Sequence, residues 1–328
     1  MKHFFVINPH SFHKPEILKG VTEDIDSSFS SRTGDYQIYT SRHPRDAVAA
    51  VRRYLLTLPA DEAVRIYAVG GDGILFDCLN GMIKFPNAEL TSVPYGNAND
   101  YVRAFGEDAA PAFRDIKCLA ASPSQPVDVI NCGSNYALIE ANVGLVGQTV
   151  IRANAVLRGP RAKWVRPFTP HIYTMSAVRA LTNFEVIRQK YQVLLDGEDY
   201  SGAYANIHVA NIPCDGGTFV PSPYAVPNDG VLDVIFMATS SSMEVLKNID
   251  DRNSGRFEKS DIFVYKKCRS LKVNSQASLS VQMDGEAFYA REFNLEIVPG
   301  GVRFFAPEGL SFADYSHRAY KKGTRAER

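Results

Sequence analysis

The sequence predicts two joined architectures: an α/β nucleotide-binding domain over residues 1–125 and a β-sandwich-like domain over residues 126–305. Residues 306–328 are expected to pack back on the first domain. Three observations carry this reading. Strand-like apolar runs alternate with helix-periodic stretches up to a Pro/Ser-rich joint, Ser122-Pro123-Ser124-Gln125-Pro126. Beyond the joint, short strand-like runs follow one another, separated by Asp-Gly and Gly-Gly turns. At 328 residues the chain is long enough for about two domains.

In the first part, Phe4–Ile7 is a continuous apolar run stopped by Asn8-Pro9, as in a strand covered on both faces. Tyr36–Tyr39 is a second strand, Arg65–Val69 a third and Leu90–Val93 a fourth. Between them, Ala47, Val48, Val51, Leu55 and Leu58 recur at helical spacing over 45–58. Further helices are expected over Ile74–Met82 and from about Asn99. Strands separated by helices imply parallel pairing. In the second part, strands are expected at Val127–Asn131, Tyr136–Glu140, Tyr191–Leu195, Tyr204–Asn211, Val231–Phe236, Ser278–Met283 and Phe293–Val298. The intervening turns include Asp196-Gly197, Asp215-Gly216-Gly217, Asn228-Asp229-Gly230, Asp284-Gly285 and Pro299-Gly300-Gly301, rich in residues that tolerate left-handed backbone. Helices near 149–157, 170–181 and 242–250 interrupt this pattern, and a last one is expected over Ala313–Lys321.

Composition narrows the function. Lys+Arg and Asp+Glu both number 36, so there is no basic excess to neutralise a polyanion, and nucleic acid is excluded as a partner. Five scattered cysteines, never spaced as C-x-x-C, form neither a zinc cage nor a framework of bridges. No apolar run reaches the roughly 18 residues of a membrane span, and no export signal opens the sequence. The expected location is cytoplasmic, with contact to the inner membrane face left open.

Two glycine loops stand at strand-to-helix junctions. In Val69-Gly70-Gly71-Asp72-Gly73-Ile74, three glycines in four positions let a ligand approach the backbone. The helix that follows offers unpaired N–H groups to phosphate. The spacing fits neither the lysine-bearing phosphate loop nor the dinucleotide fingerprint. Asp72 would repel bare phosphate, so it either works through Mg²⁺ or caps a tight turn. The second loop, Gly96-Asn97-Ala98-Asn99-Asp100, repeats the arrangement. Two such loops at the ends of parallel strands would face one crevice.

These residues resemble the diacylglycerol kinase catalytic-domain family, which includes bacterial lipid kinases and sphingosine kinases. The likeness rests on Asn8-Pro9 with Ser11, on Thr40, on GGDG at 70–73 and on PYGNANDYVRAFG at 94–106. It continues through VDVINCGSNYALIEANVGLVGQTV, ANIPCDGGTFVPSPYAVPNDGVLDVIFM and VQMDGEAF, closing on LEIVPGGVRFFAP. Three positions depart from the family pattern: Ile74 replaces a threonine, Ala98 a glycine, and Phe12 the glycine after serine.

The resemblance implies an ATP-dependent lipid kinase that phosphorylates a lipid hydroxyl, diacylglycerol-like, with Mg²⁺. Asp284 would accept the hydroxyl proton, with Glu286 beside it on the same side of a continuing strand. Asn8, Ser11, Thr40, Gly70, Gly71, Asp72, Gly73, Gly96, Asn97, Asn99 and Asp100 would bind the nucleotide. Asp72, Asp100 and Asp128 would hold the water shell of a catalytic Mg²⁺. Asp229, with the carbonyls of Val226 and Val231, would form a structural Mg²⁺ site. Each of these aspartates also has a structural reading: Asp72 and Asp100 as caps, Asp128 as an exposed strand-end residue, and Asp229 and Asp284 as members of hairpin turns. The second Asp-Gly-Glu, at 196–198, matches no catalytic motif and reads as a hairpin turn.

The expected partners are a lipid alcohol and a membrane surface, with a homodimer left open. Arg158, Arg161, Lys163 and Arg166 surround the only tryptophan, Trp164, and the tail adds Lys321, Lys322, Arg325 and Arg328. That segment is either a membrane-facing element or a solvated loop with a packed tryptophan. Two other functions compete: an NAD kinase-like enzyme, and a catalytically silent nucleotide-binding or interaction module, which Ile74 and Ala98 motivate.

Overall fold

The structure, a computed structural model, describes residues 1–30, 34–159, 162–165, 168–182, 188–239 and 241–316. The first half is an α/β layer. Its strands β1 (Lys2–Ile7), β2 (Tyr36–Thr40), β3 (Val64–Gly70) and β4 (Ala88–Pro94) pair in parallel in the order β2-β1-β3-β4. Every residue of β3 is buried, which explains its unbroken apolar run. The connecting helices are α1 (Pro15–Ser28), α2 (Asp46–Leu56) and α3 (Asp72–Met82). After β4 come α4 (Asp100–Arg103), α5 (Ala110–Arg114) and α6 (Ile116–Ala121). The sequence reading passed over α1, whose inward face buries only Val21 and Ile25. The helix expected from Asn99 lasts a single turn, and Gly106 (φ 123°) redirects the chain soon after it.

The second half begins with β5 (Ser124–Asn131), β6 (Tyr136–Ala137) and β7 (Glu140–Gly144), followed by α7 (Leu145–Leu157), α8 (Ala162–Val165) and α9 (Thr169–Leu181). Next are β8 (Gln189–Leu195), β9 (Glu198–Asp199), β10 (Gly202–Tyr204), β11 (Asn206–Ala210) and β12 (Leu232–Met237). Helices α10 (Ser242–Lys247) and α11 (Ile249–Asn253) precede β13 (Phe263–Cys268), β14 (Ser270–Met283) and β15 (Glu286–Phe305). The strands join in the order β13-β12-β11-β7-β14-β15, antiparallel throughout. β14 shifts register between Asn274 and Leu279, so its first half pairs with β8 and its end with β7. The result is the β-sandwich-like layer the sequence implied.

β15 ties the halves together. It pairs with β14 and β5 along its length and adds Arg303 and Phe304 in parallel to β4. The expected turn at Pro299-Gly300-Gly301 is instead a bulge within this strand, where the register shifts between Val298 and Val302. Phe304 and Phe305 are buried in the core of the first half, while Phe76 of α3 is buried in that of the second. Near the end of the described residues, Ala313 N donates to Ala104 O, and buried Tyr315 donates to Arg103 O. Residues 313–315 are not helical, and 317–328, with His317 and the four basic tail residues, lie outside the described residues. No described helix is long and apolar enough to cross a membrane.

Candidate active site

Parallel strands with right-handed crossovers deliver their carboxyl-end loops to one edge. The loops after β1, β2, β3 and β4 meet there. Asn8 caps a short 3-10 turn, its Oδ1 accepting from His10 N, and its own N–H donates to Val69 O. Thr40 closes β2 opposite Ile7. A side chain at Gly70 would strike Ser11 Oγ and Ile74 Cγ2, both 2.9 Å from its Cβ position. The two glycine loops touch through their backbones. A Cβ on Gly96 would lie 2.3 Å from the Gly71 Cα, and Tyr95 and Gly96 N–H both donate to Gly70 O. Gly73, by contrast, is exposed and has open space beside its Cα at the start of α3. That is the shape and the donor chemistry a phosphate needs. Asn97 is exposed at the loop tip, and Asn99, in left-handed backbone (φ 52°), closes its side chain on Gly96 N and O.

The departures from the family pattern are absorbed by packing. Ile74 is 4% exposed within the first core. Ala98 is not among the positive-φ residues, and a Cβ on Gly217 would lie 3.1 Å from the Ala98 Cα. The methyl group therefore sits in allowed backbone, against the Asp215-Gly216-Gly217 turn of the second half.

Asp72 and Asp100 lock the loops to each other. Asp72 accepts from the Asp100 and Tyr101 N–H groups, so it caps α4 rather than its own helix. Burial pushes its carboxyl above the ordinary range, against the pull of those amides. Asp100 accepts from Gly217 N at 2.9 Å and from Arg103 at 2.9 Å. Burial, with the Asp72 and Asp215 charges added, raises Asp100 to about 7.

Asp284 sits in a turn, not in a strand. Asp284 (φ 43°) and Gly285 (φ 84°) link β14 to β15, and Glu286 opens the returning strand opposite Met283. The expected alternation that would put Asp284 and Glu286 on one side therefore fails, because the chain reverses between them. The Asp284 carboxylate accepts from Leu138, Ile139 and Glu140 N–H at 2.8–3.1 Å. Those amides are free because the strand expected over Tyr136–Glu140 breaks into β6 and β7 at that point. Asp284 is 7% exposed, and burial raises it to about 7 against the three amides, with the Asp72 charge adding to the rise. The acid of the sandwich turn therefore lies close enough to the acid of the first glycine loop for the two charges to interact. Glu286 turns to Arg158, 2.7 Å away.

Other expected residues are not brought to this crevice. Asp128 is buried and accepts from Gly230 N and Gly300 N, clamping two turns. Asp229 accepts from Val231 N and pairs with Lys267 at 3.2 Å, while Val226 O accepts from Asn228 and Asp229 N. Among the described residues, no three acidic, histidine or cysteine side chains converge as metal ligands.

Several residues at the site escaped the sequence reading. Buried Glu140 lies beside Asp284 and 3.3 Å from His208, and Asp215 pairs with Arg252 at 3.2 Å. Glu140 carried a signal, a lone charge inside an apolar run; Asp215 was read only as a turn. Asp77 of α3, which burial raises to about 6, holds Arg45 at 3.2 Å, and Arg45 adopts φ 70° while lying over the Phe76 ring.

Two family models match successive parts of the chain. Residues 2–132 match the model of the diacylglycerol kinase catalytic domain. Residues 151–306 match that of the YegS C-terminal NAD kinase beta sandwich-like domain. The chain belongs to the diacylglycerol kinase catalytic-domain family. It is 25% identical over 250 residues to a "Probable lipid kinase YegS-like" of Alcanivorax borkumensis, covering 74% of this chain and 79% of that one. A protein of the same name from Chromohalobacter salexigens is 25% identical over 268 residues, 79% of this chain and 82% of its own. The fold is that of a solved structure described as a diacylglycerol kinase from Bacillus anthracis, strain Sterne. That likeness has a TM-score of 0.68 at 18% identity, over 94% of this chain and 98% of the other. As a member of this family, the chain is a kinase by kinship.

Proposed function

We propose that this family member transfers the terminal phosphoryl group of ATP to the hydroxyl of a diacylglycerol-like lipid, with Asp284 as the proton acceptor. One observation carries the reading: the buried Asp284 carboxylate, held by three main-chain amides, lies within reach of the charge of Asp72 in the first glycine loop, and burial raises it to about 7. A base whose pKa lies near working pH balances availability with proton affinity. The alcohol oxygen would bond to the terminal phosphorus as the bond to the bridging oxygen breaks. Its proton passes to Asp284, and ADP leaves. Gly71, Gly73 and Gly96 fit the phosphates because no Cβ intrudes, and Gly73 opens to solvent. Mg²⁺ would neutralise phosphate oxygens. Asp72 and Asp100 are the carboxylates that would face its waters, since the remaining ligands of such an ion are water and phosphate. Asp128 and Asp229 are held to turns of the second half, and the proposal does not use them.

Radiolabelled ATP with total lipid extract tests it, with an NAD arm in parallel. Label in lipid that disappears in Asp284→Asn supports the assignment. Label in NAD alone, or no nucleotide binding at millimolar concentration, overturns it.

A further inference from the structure

Just before β7 begins at Glu140, the chain leaves strand pairing at Leu138 and Ile139. β7 lies between β11 and β14, with Ala210 opposite Glu140 on one side and Met283 opposite Ala141 on the other. The residue after each neighbouring strand is Asn211 in one case and Asp284 in the other. These two residues therefore flank the unpaired segment from opposite sides.

Their hydrogen bonds meet on the same peptide units. In the unit joining Leu138 to Ile139, the Ile139 N–H donates to Asp284 Oδ1 at 3.1 Å, and the Leu138 carbonyl accepts from Asn211 Nδ2 at 2.8 Å. In the next unit, the Glu140 N–H donates to Asp284 Oδ1 at 3.0 Å, and the Ile139 carbonyl accepts from Asn211 N at 2.9 Å. The N–H and C=O of a trans peptide point opposite ways across one rigid plane. Asn211 and Asp284 thus hold both units end to end. Bonds in such a chain polarise one another, so a donor at the carbonyl strengthens the N–H at the far end.

Asn211 is 1% exposed, and its Nδ2 also donates to Asp128 O of β5 at 3.0 Å. Both partners of Nδ2 are carbonyl oxygens, which only accept, so chemistry fixes the orientation of the amide. An aspartate of the same shape would set oxygen against oxygen. We propose that Asn211 is a positioning residue for the candidate base Asp284, aiming and polarising the Ile139 and Glu140 amides that hold its carboxylate. The inference rests on the proton-acceptor reading for its catalytic meaning, whereas the hold on the carboxylate can be measured without turnover.

Amide donors favour the charged form of a carboxyl group, so loosening them raises Asp284 above its native value of about 7. Asp72, Glu140 and Tyr101 are the titratable groups whose charges interact with Asp284, with His208 and Arg252 beyond Glu140. Asn211→Ala removes none of them.

The test is an NMR titration of the full chain, labelled with carbon-13 at its aspartate carboxyl groups. The Asp284 signal is the one missing from Asp284→Asn. Expected in Asn211→Ala is a rise of about one pH unit in the Asp284 midpoint. Lipid phosphorylation at about pH 7 should fall about fivefold, as the ionised fraction drops from about half to about a tenth, and should recover by about pH 9. Asn211→Ser keeps one donor and should shift both readings by less; it decides the matter where the alanine variant does not fold. Asp196→Asn, in the exposed sibling turn, is the control and should move neither reading. A midpoint that stays in place in a folded Asn211 variant overturns the proposal, as does a rate loss equal at every pH. Native-rate phosphorylation by Asp284→Asn would sink the base reading alone, and the carboxyl titration would still decide what Asn211 does.

Discussion

Two Asp-Gly-Glu turns in this chain have almost the same backbone and opposite surroundings. Asp196 and Gly197 adopt φ 48° and 88°; Asp284 and Gly285 adopt φ 43° and 84°. In each, the aspartate reaches back to main-chain N–H groups of a neighbouring segment. Asp196 accepts from Arg269 and Ser270, Asp284 from Leu138, Ile139 and Glu140. Asp196 does this in solvent, at the outer end of β8. Asp284 does it in the interior, where burial, with the Asp72 charge added, raises its pKa to about 7. The tripeptide encodes a hairpin; only its address makes one copy a candidate base.

The comparison breaks first on the acids themselves. Asp284→Asn should cost about a thousandfold in phosphoryl transfer, whereas Asp196→Asn should leave the rate unchanged and cost about 1 kcal/mol of stability through a lost acceptor. Rate assays beside thermal melts check both, and equal rates for the two variants would sink the distinction. Next, Gly96→Ala should force the glycine loops apart at a cost of about 3 kcal/mol, because its Cβ meets the Gly71 Cα at 2.3 Å. ATP titration and melting of the variant measure this.

The third effect is a pH dependence. Below a pKa of about 7, protonation of Asp284 should lower the rate about tenfold per pH unit. Stability runs the other way. The folded state keeps a proton that the unfolded chain releases near 3.8, so the contribution is full below 3.8 and is lost as pH rises through about 7. Asp284→Asn should flatten that fall in a melting series. The smallest effect sharpens the comparison most. Gly197→Ala and Gly285→Ala should each lose about 1 kcal/mol, since both have positive φ and nothing within 4 Å of the new methyl group. Only Gly285→Ala should also slow transfer, by shifting the acid.

The parallel sheet was legible because buried strands and amphipathic helices write their periods into the chain: β1, β3, β4 and α2 fall where apolar spacing put them. The glycine loops were legible too, because close approach of Gly71 and Gly96 tolerates no side chain. The break between β6 and β7 was not, since Leu138 and Ile139 look like strand residues and leave the ladder to serve Asp284. Nor was the bulge at 299–301, where Gly300 takes φ 61° and donates its N–H to Asp128 instead of ending the strand.

By itself, the sequence determined the two layers, the glycine cradle and the existence of two acid turns, because periodicity and backbone tolerance are local properties. Tertiary structure alone decided which turn is buried, that Asp72 caps the helix of the other loop, and that Glu140 and Asp215 join the site. Burial and charge proximity depend on segments more than a hundred residues apart in places. No local pattern carries the free energy that sets a carboxyl group near neutrality.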